Sequence, residues 1–513
     1  MASDDPNKSQ SPEPACSVTA TENTPLLASS PVAPAGDTQV ASALADAPKP
    51  KDKPLPKTQI FWLCYARLIE PIAFFSIFPY INQMVQENGQ LADADVGFYS
   101  GLIESLFSLT QMLVMVLWGQ AADRVGRKPV LVSSLVGVAI ATALFGFAKT
   151  IWQMILFRCL AGFFAGTIVT IRAMISEHST AKTQARSFSW FAFSGNLGIF
   201  VGPLVGGALA DPAGQYPRTF GGVQFFESYP YALPSIVIGC VGLTAVFTSA
   251  FFVEETLHRR RKTAAEDDAP PKPRGMSTRQ LVKSPGVGVV LYNYGHAMTL
   301  GFAYTAIVPV FWFTKVDLGG LEFSPLQISL FMGLTGLSQA IWLLAVFPPL
   351  QRRIGTNGVM RACGNAYPFF IAAMPFLNLI LRQRTHGAVI AFWILAPLLL
   401  VLGPGVSMAF TAVQLALNDV SPSPETLGML NALALTITSA LRSFSPALFA
   451  SLFAIGARNQ WVLGYFVWII FTALTVGFTC ATRFLPEASE CRPNDVVDEE
   501  EEASDDTDST TVR

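Results

Sequence analysis

Few ionisable residues interrupt the long apolar stretches of this chain, and each one that does is a candidate for chemistry. Among them are Arg67, Glu70, Glu104, Arg158, His296 and Arg442. A charge held inside an apolar stretch of membrane length is costly, so by default it marks a site for protons, ions or charged solutes. Glu70 and Glu104 are the leading proton carriers, because a carboxyl shielded from water can take up and release a proton near neutral pH. Arg158 or Arg67 would supply the counter-charge. Arg67 and Glu70 stand three residues apart on one helical face, where they could instead simply satisfy each other. Glu104 could equally face water at the edge of its span. His296 can titrate in the physiological range or serve only to pack helices. Arg442 could anchor an anionic group.

Two further patterns carry mechanics rather than titration. The first is Gly119-x-x-x-Asp123-Arg124-x-Gly126-Arg127-Lys128. Its glycines permit a tight turn where two spans approach. Asp123 can pair with cations or sit at a helix start, and Arg127 can hold a carboxylate with two hydrogen bonds. The plain alternative is a basic loop that only sets topology. The second pattern runs Gly198, Gly202, Pro203, Gly206, Gly207. Glycines at four-residue spacing let helices pack backbone to backbone in lipid, and Pro203 removes one helical hydrogen bond and favours a bend. No nucleophile–base arrangement, metal-ligand spacing or phosphate loop stands beside these patterns, so an enzyme is not expected. Neither a cofactor nor a bound metal is implied.

These residues must be positioned by membrane helices. Of the 513 residues, 51% are hydrophobic and only 14% charged, with a mean hydropathy of +0.42. A soluble chain would carry about 25% charged residues. Stretches of about 20 apolar residues, the length that crosses a bilayer, fall at roughly 60–82, 97–118, 129–148, 152–174, 188–210 and 231–253. Six more fall at roughly 288–313, 326–348, 359–381, 388–410, 428–452 and 461–483. The expected fold is an all-α integral membrane protein of twelve transmembrane helices in two pseudo-symmetric six-helix halves, 58–253 and 287–484. A polar linker at 254–286 joins them. A polar, Pro/Ser-rich head at 1–57 and an acidic tail at 485–513 are expected to be disordered. The seven cysteines are scattered and contain no CxxC pair, so no disulfide framework or zinc site is expected. Nothing resembles a basic nucleic-acid surface.

Lys and Arg concentrate on one side of this topology. Lys51, Lys53, Lys57, Arg124, Arg127, Lys128, Lys182, Arg186, Arg259, Arg260, Arg261, Lys262, Arg352 and Arg353 lie there. The other side holds only Lys149, Arg218, Lys315, Arg382, Arg384 and Arg458. That bias places both termini in the cytoplasm. The two halves echo each other weakly, which is the pattern of a rocking carrier with its site between them. Near the start, Glu22-Asn-Thr-Pro-Leu26-Leu27 matches an acidic dileucine sorting signal, so either the plasma membrane or a vacuolar or endosomal membrane is possible.

The Gly119–Lys128 loop together with twelve spans resembles the signature of the major facilitator superfamily. That resemblance covers about residues 58–485. It implies that Asp123, Arg124 and Arg127 brace one state of the carrier and that Glu177 is the carboxylate partner of Arg127. The span-5 glycines are similar to that superfamily's antiporter-associated motif, which implies export in exchange for protons. Arg158-Cys-Leu-Ala-Gly162 looks like the span-4 motif whose arginine is associated with proton coupling, although Ala161 stands where Gln is usual. Glu70 to Tyr80 and Leu318 to Pro325 resemble fungal drug:proton antiporters and zinc-induced-facilitator-like members. The implied function is export of small organic molecules by a monomer in the bilayer. A proton-linked uptake carrier or a non-transporting sensor is the alternative.

Overall fold

A computed structural model describes residues 56–93, 95–179, 181–257, 278–421 and 424–486, all within one compact unit, Pro54–Arg513. Nearly all of the two tails, most of the central linker and the Glu22–Leu27 signal lie outside the described residues. Among the described residues there is no strand. The segment before residue 258 holds α1 (Lys57–Phe75), α2 (Ile81–Gly89), α3 (Val96–Val125), α4 (Arg127–Phe145), α5 (Ile151–Phe164), α6 (Thr167–His178), α7 (Ala181–Leu209) and α8 (Ala232–Phe252). The segment after residue 277 holds α9 (Val287–Phe313), α10 (Pro325–Ile341), α11 (Phe347–Arg382), α12 (His386–Leu402), α13 (Met408–Asp419), α14 (Pro424–Asn459) and α15 (Phe466–Ala481).

Ten helical stretches among the described residues are long and apolar enough to cross a membrane. One of them, Pro325–Arg382, is 58 residues long, far more than the roughly 20 that one crossing needs. Within it Gly355 takes φ 71°, a conformation that breaks the helix and favours glycine. α1 is not among the ten, and it carries Lys57, Arg67 and Glu70.

Several expected spans are not continuous helices; 60–82, for one, turns at 76–80 between α1 and α2. The run 152–174 breaks at Ala165–Gly166, between α5 and α6. A Cβ on Gly166 would lie 2.5 Å from the Trp118 ring, so only glycine fits there. The groups freed by the break are satisfied locally, as a membrane interior demands. Gln111 Nε2 donates to the Ala165 carbonyl at 3.0 Å, and the Gly166 amide donates to Ser134 Oγ at 3.2 Å. The run 388–410 breaks at a 3-10 turn, Gly403–Ser407, where Pro404 contributes no amide. There the Val401 carbonyl accepts from Ser338 Oγ at 2.7 Å and Trp342 Nε1 at 2.8 Å.

Buried apolar side chains form three clusters. Two draw on residues between Ile60 and Val253, and the third on residues between Leu281 and Leu485. The two segments meet along two ridges of small residues. On α3, a Cβ on Gly97 would lie 3.1 Å from the Ala450 carbonyl, and one on Gly101 2.6 Å from the Pro446 carbonyl of α14. One turn further, the Ala447 amide donates to Ser105 Oγ at 2.9 Å. On the other ridge, a Cβ on Gly207 of α7 would lie 2.3 Å from Cβ of Ser329 on α10.

The remaining span-5 glycines pack against α1. A Cβ on Gly198, Gly202 or Gly206 would lie 2.8, 2.9 or 1.8 Å from the carbonyl oxygens of Leu68, Ile72 and Ser76. α7 runs on through Pro203. Gly206→Ala therefore forces two backbones apart, and overpacking of this kind costs about 1–3 kcal/mol. It is expected to lower the thermal midpoint of the detergent-solubilised protein. Gly387→Ala, where nothing stands within 4 Å of the added carbon, should leave the midpoint unchanged.

Candidate transport site

The break between α5 and α6 places Thr167 at a helix start beside Glu70 of α1. Glu70 is buried, and both its oxygens are engaged. One accepts from Gln111 Nε2 at 2.6 Å, the other from the Thr167 hydroxyl. Because neutral donors occupy this carboxylate, the ion pair with Arg67 that the spacing allowed does not form. Arg67 instead lies over the Phe191 ring at 5.1 Å, and Arg172 of α6 lies over the same ring at 5.5 Å. Arg67 Nε and Nη1 are buried without a hydrogen-bond partner.

Phe74 links this group to a second one. Arg158 lies 5.2 Å from the Phe74 ring and 4.7 Å from that of Phe107. Arg442, from α14 in the other segment, lies 4.4 Å from the Phe74 ring. Arg158 is buried, and its Nε and Nη2 have no partner. Glu104 of α3 is buried within the fields of Arg158 and Arg442, yet among the described residues it forms no ion pair with either. Arg442 also feels the charges of Glu70 and Arg67. Five of the six charged or titratable residues expected from the sequence thus gather at the junction of the segments. His296 does not join them. It packs between α9 and α15, with Nε2 bonded to the Leu474 carbonyl at 3.0 Å and its ring 5.5 Å from that of Phe478.

The loop after α3 is built around Gly126, whose φ of 127° turns the chain directly into α4. Gly119, expected in a tight turn, lies inside α3 with only Val169 near it. Arg127 Nη2 pairs with Asp123 at 2.8 Å and with Glu177 at 3.2 Å, so the expected Glu177 contact is present. Arg124 is exposed. A third carboxylate, Glu255, was not found from the sequence because its role depends on the fold. It accepts from the amides of Arg127 at 2.9 Å and Lys128 at 3.1 Å, the unpaired donors at the start of α4. Every one of these partners belongs to the first segment.

Burial alone would push the Glu255 carboxyl up, but the amides of Leu257, Arg127, Lys128 and Thr256 hold it below the usual carboxylate range. A lowered value means that the stability it adds is present above the ordinary carboxylate range and is lost as pH falls through the lowered one. Glu255→Ala is therefore expected to cost about 1 kcal/mol at neutral pH, as loss of a helix cap does. Measured as thermal midpoint against pH, the gap to wild type should close in acid.

At the opposite end, two ion pairs join the segments. Lys315 Nζ meets Asp93 at 2.7 Å, and Arg458 Nη1 meets Asp95 at 3.3 Å. A cleft of about 560 Å³ beside them is lined from both segments by Gln83, Asp211, Lys315 and Glu322 among others.

Comparison with known proteins agrees with this architecture. The sequence pattern of the Major Facilitator Superfamily matches residues 63–446. The chain belongs to the major facilitator superfamily. Efflux pump azaK of Aspergillus niger is 47% identical over 447 residues, covering 87% of this chain and 92% of that protein. The major facilitator superfamily multidrug transporter mfsB of Aspergillus fumigatus is 29% identical, with 79% of each chain covered. The crystal structure of a D-xylose-proton symporter shares the fold at a TM-score of 0.62 and 12% identity, over 85% of this chain and 99% of that one. The resemblance read from Gly119–Lys128 and from the fungal-type segments is thus borne out. This superfamily member is a multi-pass membrane transporter and not an enzyme.

Proposed function

We propose that this superfamily member exports small organic molecules in exchange for protons, by alternating access across twelve spans in two six-helix halves. The count follows if α1 is taken as a span and Pro325–Arg382 is divided at Gly355 into two. The observation that carries the reading is the buried charge group in which α1, α3, α5 and α6 meet Arg442 of α14. Titratable groups at the junction of two moving bodies are what proton coupling requires. The outward direction is supported by the 47% identical efflux pump and by the Gly198–Gly207 pattern.

With both termini in the cytoplasm, Asp93 and Lys315 lie on the outer face. The ion pairs there and the small-residue ridges then hold the two segments together on the outer side. Asp123, Arg124, Arg127 and Glu177, with Glu255, shape the inner loop that braces one state of the carrier. Glu104 carries the proton and Glu70 organises the break in span 4. Arg158, Arg67 and Arg442 set the field, and His296 is a packing residue. A comparison of metabolites in cells and medium, with and without the protein, tests the direction. Cells lacking it should retain one or more organic compounds that the complemented cells release. Compounds depleted from deficient cells would favour uptake instead, and no difference would favour a sensor.

A further inference from the structure

Four guanidinium groups, Arg67, Arg158, Arg172 and Arg442, form one chain through the site. Arg172 and Arg67 share the Phe191 ring, and Arg442 and Arg158 share the Phe74 ring. Arg442 lies within the field of Arg67, which joins the two pairs. Only two carboxylates, Glu70 and Glu104, accompany them among the interactions described, and Glu70 is occupied by Gln111 and Thr167. The group therefore holds a surplus of positive charge. Four guanidinium nitrogens, Nε and Nη1 of Arg67 and Nε and Nη2 of Arg158, are buried with no acceptor.

Burying a charge without a partner is strongly unfavourable. Aromatic faces recover part of that cost, but they accept no hydrogen bond from the N–H groups in their plane. A carboxylate or similar acid group would supply both the missing charge and the missing acceptors, and guanidinium matches it with paired bonds. A cationic solute would meet the same surplus as repulsion.

We propose that the transported solute is an organic anion whose acid group is held by Arg158 and Arg442, with Arg67 beside them. This rests on the export reading only for direction. Anion and proton occupy different groups, so exchange runs through conformation: the anion-loaded and the proton-loaded forms are the two that reorient. Outward movement of an anion from a cytoplasm at negative potential is itself favoured, so potential and proton gradient act together.

The test uses the purified full-length protein and three solutes with one aromatic body: 2-naphthoate, 2-naphthamide and 2-naphthylmethylammonium, at equal ionic strength. Naphthoate is expected to raise the thermal midpoint by a few degrees, while the amide and the ammonium leave it in place. Arg158→Gln and Arg442→Gln should each abolish that rise without lowering the ligand-free midpoint, since Arg158 Nε and Nη2 are buried without a partner and Arg442 forms no ion pair among the described residues. The proposal is overturned by no rise with naphthoate, by an equal rise with the amide or ammonium, or by a rise that survives in both variants. If a variant folds poorly, the three-solute comparison on the wild type still decides. A rise without gradient-driven flux would sink the export reading and leave the anion site standing.

Discussion

Gly97→Cys combined with Ala454→Cys, in a chain whose native cysteines are replaced by serine, stops transport when oxidised and restores it on reduction. A Cβ built on Gly97 lies 3.6 Å from the Ala454 Cβ, within the range that a disulfide spans. Gly97 is on α3 and Ala454 on α14, so the bond would fasten the two segments together at the end where Lys315 meets Asp93. Alternating access requires this end to open once per cycle, so a covalent clasp reduces flux to that of membranes lacking the protein. Either single substitution should transport, although Val310 at 3.0 Å and the Ala450 carbonyl at 3.1 Å from the carbon added at Gly97 must yield slightly. Gel mobility after protease cleavage of the central linker reports bond formation independently of transport. Full flux with a complete cross-link would show that the segments do not separate there.

Glu104→Gln is the second large effect, with loss of gradient-driven export to background. The amide keeps the shape of the carboxyl and removes its ability to exchange a proton. Glu104 is buried within the fields of Arg158 and Arg442 and forms no ion pair among the described residues, which is why the proposed mechanism assigns the proton to it. Glu70 differs, because its oxygens already accept from Gln111 and Thr167. Glu70→Gln should weaken transport through that hydrogen-bond network without abolishing its dependence on the gradient. The distinguishing measurement is exchange of labelled for unlabelled solute with no gradient. Glu104→Gln should retain that exchange while losing net export. Wild-type net export in Glu104→Gln, with loss in Glu70→Gln, would move the proton to Glu70.

The sequence made the helices legible because apolar length is a local property, and the Gly119–Lys128 loop made the superfamily legible because its residues are adjacent in the chain. Breaks inside helices were harder to see. Nothing polar marks Ala165–Gly166, and only the Trp118 ring shows why glycine is needed there. Gly403-Pro404-Gly405 did carry a readable signal for the second break, since proline and glycine disfavour helix. Arg67 and Glu70 had the spacing of a pair, but Gln111 and Thr167 arrive from other helices and capture the carboxylate. Glu255 lies 128 residues from the amide of Arg127 that it accepts from, a separation that no local pattern reveals. Arg172 was detectable by the same argument that singled out Arg158, as an arginine between apolar residues.

The direct test of proton-driven export uses vesicles of the membrane that carries the protein, oriented with the cytoplasmic face outward so that the lumen corresponds to the side away from the cytoplasm. Vesicles with and without the protein are given the metabolite extract of deficient cells, and their contents are compared by mass spectrometry with the lumen acidified and after a protonophore. Compounds that accumulate only in protein-bearing vesicles, and only while the lumen is acid, are the expected result. Accumulation that ignores the gradient, or acid-driven release of compounds from the lumen, would contradict exchange of solute for protons.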